Sequence, residues 1–147
     1  MLPYRLTETD KIKDARTALL CARLYLRGGK RRLQAGYSKA GLAALYDAVL
    51  FGMRYYIAKH KGYKALAKST DPWDAPSLFH ALTRAGVFED PLTLNRFSLL
   101  VERALWQDSF SFDANSTLAE VESLLAKLGV IPFGGSGLPG ESASTIL

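Results

Sequence analysis

The chain has 147 residues, 48% of them hydrophobic and 22% charged, with 19 Lys and Arg against 14 Asp and Glu. That length and balance describe about one globular domain with enough apolar side chains for a core, and they exclude a disordered, collagenous or disulfide-stapled chain. One cysteine, Cys21, and two histidines, His60 and His80, build neither a disulfide framework nor a metal-ligand set, so neither metal nor cofactor is expected.

The N-terminal stretch MLPYRLTETDK carries no apolar signal-peptide core, and no stretch reaches the roughly 18 apolar residues of a membrane span, which predicts a cytoplasmic, soluble protein. Thr7 with Asp10 reads as a loose capping box opening a helical pattern of Ile12, Ala15, Leu19, Ala22 and Leu26 at three- and four-residue steps. Cys21 falls inside this apolar run, as a small buried hydrophobe would. Gly28-Gly29 is expected to end the pattern or bend it. The longest helix then runs from about Ser38 to Lys61 and closes at Gly62. Its Ala40, Ala44, Ala48 and Gly52 form a ridge of small residues, and Leu42, Leu45, Val49, Met53 and Tyr56 supply bulk beside it. Both long faces are thus occupied, which predicts the central helix of a bundle and packing that outweighs the helix-propensity cost of Gly41 and Gly52.

Asp71-Pro72 and Asp90-Pro91 are helix-start signals, because proline is tolerated at the first helical position. They predict helices over about Trp73 to Ala85, stopped by Gly86, and about Pro91 to Asp108. A fifth helix over ANSTLAEVESLLAKLG buries Leu118, Val121, Leu124, Leu125 and Leu128 and stops at Gly129. No segment alternates with period two, so the expected fold is all-α, an up-and-down bundle of four to five helices over residues 1–128. Residues 129–147, rich in Gly, Ser and Pro, are expected to be a flexible tail.

The chemistry-bearing residues are mostly cationic. Residues 1–70 hold 15 Lys and Arg against four acids, +11, and residues 71–147 hold four against ten, −6. The division suits either a basic surface for an anionic partner or complementary patches that meet within the fold or between subunits. Arg16 belongs to the basic group. So do Arg23, Arg27, Lys30, Arg31 and Arg32, followed by Lys59 and Lys61, with Tyr37, Tyr55, Tyr56 and Tyr63 close by. Cations beside stackable aromatics suit RNA or a nucleotide phosphate, and a solvated face that compensates helix dipoles has the same composition. GGSG in the tail has no strand before it or helix after it, so it is not a phosphate loop.

In the fourth helix Leu94, Phe97, Leu100, Val101, Ala104 and Leu105 share one face, with Asp108 at its middle. Leu92, Leu99 and Trp106 recur every seven residues on the opposite side, flanked by Arg96 and Arg103. That second strip needs a cover, either the fifth helix or a second subunit, so Leu92, Leu99, Arg103 and Trp106 are the candidate interface of a homodimer. Asp108 requires water or a partner, because an unpaired buried carboxylate is unfavourable. Arg103, five positions away, is turned about 140° from it. His60, near a helix C-terminus, is read as a surface residue, and His80 as a half-buried polar or site residue.

The stretches LQAGYSKAGLAALYDAVLFGMRYYIAKHKG and RFSLLVERALWQDSF resemble the HEPN family of helical domains over roughly residues 8–128. Ala40, Ala44, Tyr46, Ala48 and Arg103 carry the likeness. Nuclease members of that family have an arginine followed four to six residues later by histidine in the late helix, and two chains unite their copies. The resemblance aligns Arg103 with the arginine and Asp108 with the histidine. An aspartate there is ionised near neutrality and repels phosphate, so the proton-transfer group is lost. Arg54 to His60 matches the spacing in a different helix. Candidates for a catalytic role are therefore Arg103, Asp108, His80 and His60, without a complete constellation among them. The resemblance implies a non-catalytic accessory module, dimeric, binding nucleotide or RNA or pairing with a nucleotidyltransferase-type protein. The alternatives are a metal-independent ribonuclease of toxin type and a purely structural interaction domain.

Overall fold

The structure is a computed structural model that describes residues 14–60, 71, 74–90, 93–107 and 111–133. Its described elements are five α-helices: α1 Asp14–Gln34, α2 Ser38–Lys59, α3 Ala75–Arg84, α4 Thr93–Trp106 and α5 Ala114–Lys127. No strand occurs among the described residues, and the fold is an all-α bundle. No described helix is long and apolar enough to cross a membrane.

Hydrophobic periodicity explains where the core lies. On α2, residues from Gly41 to Ile57 are buried around the whole circumference, including Leu42, Leu45, Val49 and Met53. Each of the other four helices packs against it, so α2 is the axis of the bundle. The others bury one stripe each: Ala18, Ala22 and Leu26 on α1, Leu78, Phe79 and Leu82 on α3, Leu94, Phe97 and Ala104 on α4, and Val121, Leu124 and Leu125 on α5. Aromatic contacts tie the layers, with Tyr25 stacked on Phe51 at 5.7 Å and Tyr46 against Phe97 at 6.0 Å.

Gly28-Gly29 does not end the first helix, which continues unbroken to Gln34. Its role is close approach. A Cβ on Gly29 would stand 2.8 Å from Leu45 Cδ2 and 3.1 Å from the Gly41 carbonyl oxygen, and one on Gly41 would stand 2.8 Å from Leu33. The two helices form an antiparallel hairpin whose backbones nearly touch at these glycines, and packing holds a segment that propensity disfavours. The actual stop is Gly36, at φ +89°. There the N–H of Tyr37 donates to the Arg32 carbonyl and that of Gly36 to Leu33, satisfying the carbonyls at the helix end.

Other boundaries move by a few residues. The second helix ends at Lys59, where the His60 N–H donates to the Tyr56 carbonyl; Lys61 and Gly62 lie outside the described residues, as do Thr7, Asp10 and Ile12. The third helix begins after Asp74 rather than Asp71-Pro72, because the Asp74 carboxylate accepts from the Ser77 N–H at 3.2 Å and Pro76 occupies the first turn. Asp113 caps α5 in the same way, accepting from the Ser116 N–H at 3.0 Å. Of the predicted small-residue ridge, Ala44, Ala48 and Gly52 are buried while Ala40 is exposed. Gly52 receives Leu125, Leu128 and Val130. The segment after α5 is accordingly packed as far as Phe133, with Val130 fully buried, so the expected tail does not begin at 129.

Candidate interaction surfaces

The outer face of α4 carries an uncovered apolar line between charged side chains. Leu99 is 53% exposed and Trp106 81% exposed. The fifth helix does not cover them; its Glu120 reaches Arg96, whose Nη2 lies 3.8 Å from that carboxylate and 3.0 Å from Asp90. Leu105, expected in the core, is 66% exposed. It lies at the border of the buried stripe, where only Ala104 of the last turn is covered. Glu102 and Arg103 are exposed on either side of the Leu99–Trp106 line. Leu92 and Asp108 lie outside the described residues.

The basic cluster is largely engaged within the chain. Arg23 Nε donates to the Val130 carbonyl at 2.9 Å and the guanidinium lies over the Phe133 ring at 5.1 Å. This places a cation, predicted to face a ligand, in the packing of the segment after α5. Lys30 pairs with Glu122 at 3.6 Å, so the basic and acidic halves meet across the bundle. Arg32 is buried, which removes it from any phosphate-binding surface. Lys59 donates to the Tyr55 hydroxyl at 3.0 Å over that same ring. Arg27 is half-buried, while Arg16, Arg31 and Lys39 are exposed, the last two beside exposed Tyr37 at the tip of the α1–α2 hairpin.

The candidate catalytic residues stand on separate helices. Arg103 is exposed in the last turn of α4, His80 is exposed on α3 rather than half-buried, and His60 is the exposed C-cap of α2 with its ring 4.1 Å from that of Tyr56. Arg54 is buried over the Phe51 ring at 5.3 Å. Its six-residue spacing from His60 turns the two about 120° apart on one helix, so no shared site results. A cleft of about 130 Å³ between the start of α4 and α5 is lined by Phe88, Asp90, Thr93, Glu120 and Lys127 among others. Arg103, His80 and His60 are not among its walls.

A polar cluster between α1 and α2 escaped the sequence reading. Burial pushes the Asp47 carboxyl above the usual carboxylate range. It pushes the Tyr25 hydroxyl up too, with the Asp47 charge adding to the rise and Arg32 opposing it. Burial likewise raises Tyr46, against the hydrogen bond with Ser98. Asp47 is the one acid between residues 15 and 70, and that isolation within a basic, apolar segment was the available signal. Cys21, half-buried, adds its charge to the rise of Tyr25 and so belongs to the same layer. Among the described residues no group of His, Cys, Asp and Glu is arranged to hold a metal. Compared with protein-family models, with curated proteins and with solved structures, the chain gives no match in any of the three.

Proposed function

We propose that this chain is a non-catalytic helical accessory module, of the HEPN-like kind its sequence resembles, that works as a homodimer joined through the outer face of α4. The observation that carries it is the exposed line of Leu99 and Trp106 with Leu105 beside it. Three large apolar side chains exposed together on one helix mark an interaction surface, and tryptophan is favoured at the centre of such surfaces. The non-catalytic reading is supported by Arg103, His80 and His60 standing exposed on or at the end of three different helices, since a general acid or base acts within hydrogen-bond reach or through one water. Sedimentation of the purified chain across a concentration series tests the dimer: a concentration-dependent dimer is expected, and Leu99→Lys should dissolve it with helicity unchanged.

A second reading concerns an anionic ligand at the hairpin tip. Exposed Tyr37 beside Arg31 and Lys39 supports a weak RNA or nucleotide contact by stacking and charge. The engagement of Arg23, Lys30 and Arg32 within the fold argues for few phosphate contacts. Binding of a short RNA should therefore show a shallow dependence on salt, with a slope of about −2 or less in magnitude on logarithmic axes. A slope of about −6 would restore the whole basic cluster as the binding surface.

A further inference from the structure

We propose that the segment after α5, as far as Phe133, is a strap closed over one edge of a basic stripe on α1, and that its release adds Arg23 and Lys30 to the surface that meets the phosphates of single-stranded RNA. The inference rests on the reading of the hairpin tip as an RNA contact and names what keeps that contact small.

The first helix gathers its cations on one side. At about 100° and 1.5 Å per residue, Arg16, Arg23, Arg27, Lys30 and Arg31 fall within an arc of about 100° that spans about 22 Å along the axis, turned away from Ala18 and Ala22. Those two alanines are buried. Beyond Asp14 at its first residue the helix carries no acid, and it leads to the tip where Tyr37 and Lys39 are exposed. Stripe and tip are therefore continuous. Arg23 and Lys30 form one edge of the arc, about 20° and 40° from Arg16, and these two are held by groups from the far end of the chain. Arg23 Nε donates to the Val130 carbonyl at 2.9 Å with the guanidinium 5.1 Å from the Phe133 ring centre, and Lys30 lies 3.6 Å from Glu122 of α5. Arg16 and Arg31, at the middle and the opposite edge, are exposed.

The strap is anchored at one point and loosely held beyond it. Val130 is fully buried and packs on Gly52, whereas Ile131 and Phe133 are half-buried and Pro132 is exposed. The Lys30–Glu122 pair is itself partly exposed, and such pairs contribute little in water. A phosphate offers a guanidinium charge-assisted, bidentate hydrogen bonds that a neutral carbonyl does not. An RNA strand laid along the stripe thus competes with the strap on favourable terms, and the strap acts as a built-in restraint on binding.

The test uses the full chain and a short oligouridine RNA, with affinity measured across a salt series and circular dichroism as the control for folding. Phe133→Ala loosens the strap without changing charge, Glu122→Gln frees Lys30, and Glu102→Gln on α4 makes the same change in net charge away from α1. Each phosphate contact on a single strand contributes about −0.7 to the logarithmic salt slope. Phe133→Ala and Glu122→Gln should each steepen the slope by about 0.7 and together by about 1.4, and Glu102→Gln should leave it unchanged. Adding Arg23→Gln to Phe133→Ala should return the slope to that of the wild type. Should Phe133→Ala fail to fold, Glu122→Gln against Glu102→Gln decides alone. A wild type that binds with a shallow slope that neither Phe133→Ala nor Glu122→Gln steepens overturns the strap while the tip contact stands. Equal slopes for Glu122→Gln and Glu102→Gln, both steeper than the wild type, overturn it too, since net charge then accounts for the change. No binding at low salt by the wild type or by any variant removes the tip contact and the strap's role with it.

Discussion

Replacing Trp106 by alanine separates a dimer face from a core position, because the two assign opposite consequences to one truncation. A buried tryptophan withdraws up to about 250 Å² from water. With 81% of Trp106 exposed, roughly 50 Å² is covered within one chain, which at ~25 cal/mol per Å² is about 1 kcal/mol. The remaining 200 Å², roughly, is open to a partner and sets an upper limit of about 5 kcal/mol per copy. Ordering of side chains and imperfect packing reduce that figure, and truncation of a central interface aromatic commonly costs about 2 kcal/mol. Two copies per dimer give about 4 kcal/mol, or roughly a thousandfold in dissociation constant. The expected result is thus a wild-type dimer that becomes a monomer in Trp106→Ala, with the stability of the monomer lowered by about 1 kcal/mol or less. Sedimentation equilibrium measures the first quantity, and urea unfolding of both chains at a concentration below the dissociation constant measures the second. A loss of about 3–5 kcal/mol in folding with no change in association, the cost of opening a core cavity, would refute the placement of Trp106 on a free face.

Gly29→Ala should destabilise the fold by about 1–3 kcal/mol, although alanine gains nearly 1 kcal/mol in helix propensity, because the new methyl meets buried Leu45 and the immovable Gly41 carbonyl; a raised melting temperature would show that the hairpin has room to spread. Asp113→Ala should cost about 1 kcal/mol by leaving the Ser116 N–H uncapped, read as a lower urea midpoint with unchanged slope. Asp47 titrates with its folded pKa above the unfolded value of 3.8. The folded chain therefore binds the extra proton, and stability falls as pH rises from about 3.8 through the raised folded value. Asp47→Asn removes that fall, so the variant should gain on the wild type between pH 3.5 and pH 7, roughly; a variant that loses ground at neutral pH would mean that the carboxylate charge is used in the fold.

Period and punctuation in the sequence were sufficient for the all-α class, for α2 as the central helix and for α5 with its stop at Gly129. These are local properties: apolar residues at three- and four-residue steps define a stripe, and a stripe all round the helix defines a buried one. The heptad spacing of Leu99 and Trp106 likewise made the outer strip of α4 legible, because it depends on one helix alone. What covers that strip was not legible, since it depends on where α5 docks, and the docking is set by Gly52 accepting Leu125, Leu128 and Val130 from far along the chain. The same holds for Gly28-Gly29. Local propensity makes two glycines a stop signal, whereas contact with Leu45 and Gly41 across the hairpin makes one of them a requirement of an unbroken helix. The basic cluster is the clearest division between the two levels. Its charge was countable in the sequence, but whether a guanidinium faces a phosphate or a backbone carbonyl depends on tertiary neighbours, and the fold sends Arg23 to Val130, Lys30 to Glu122 and Arg32 inside.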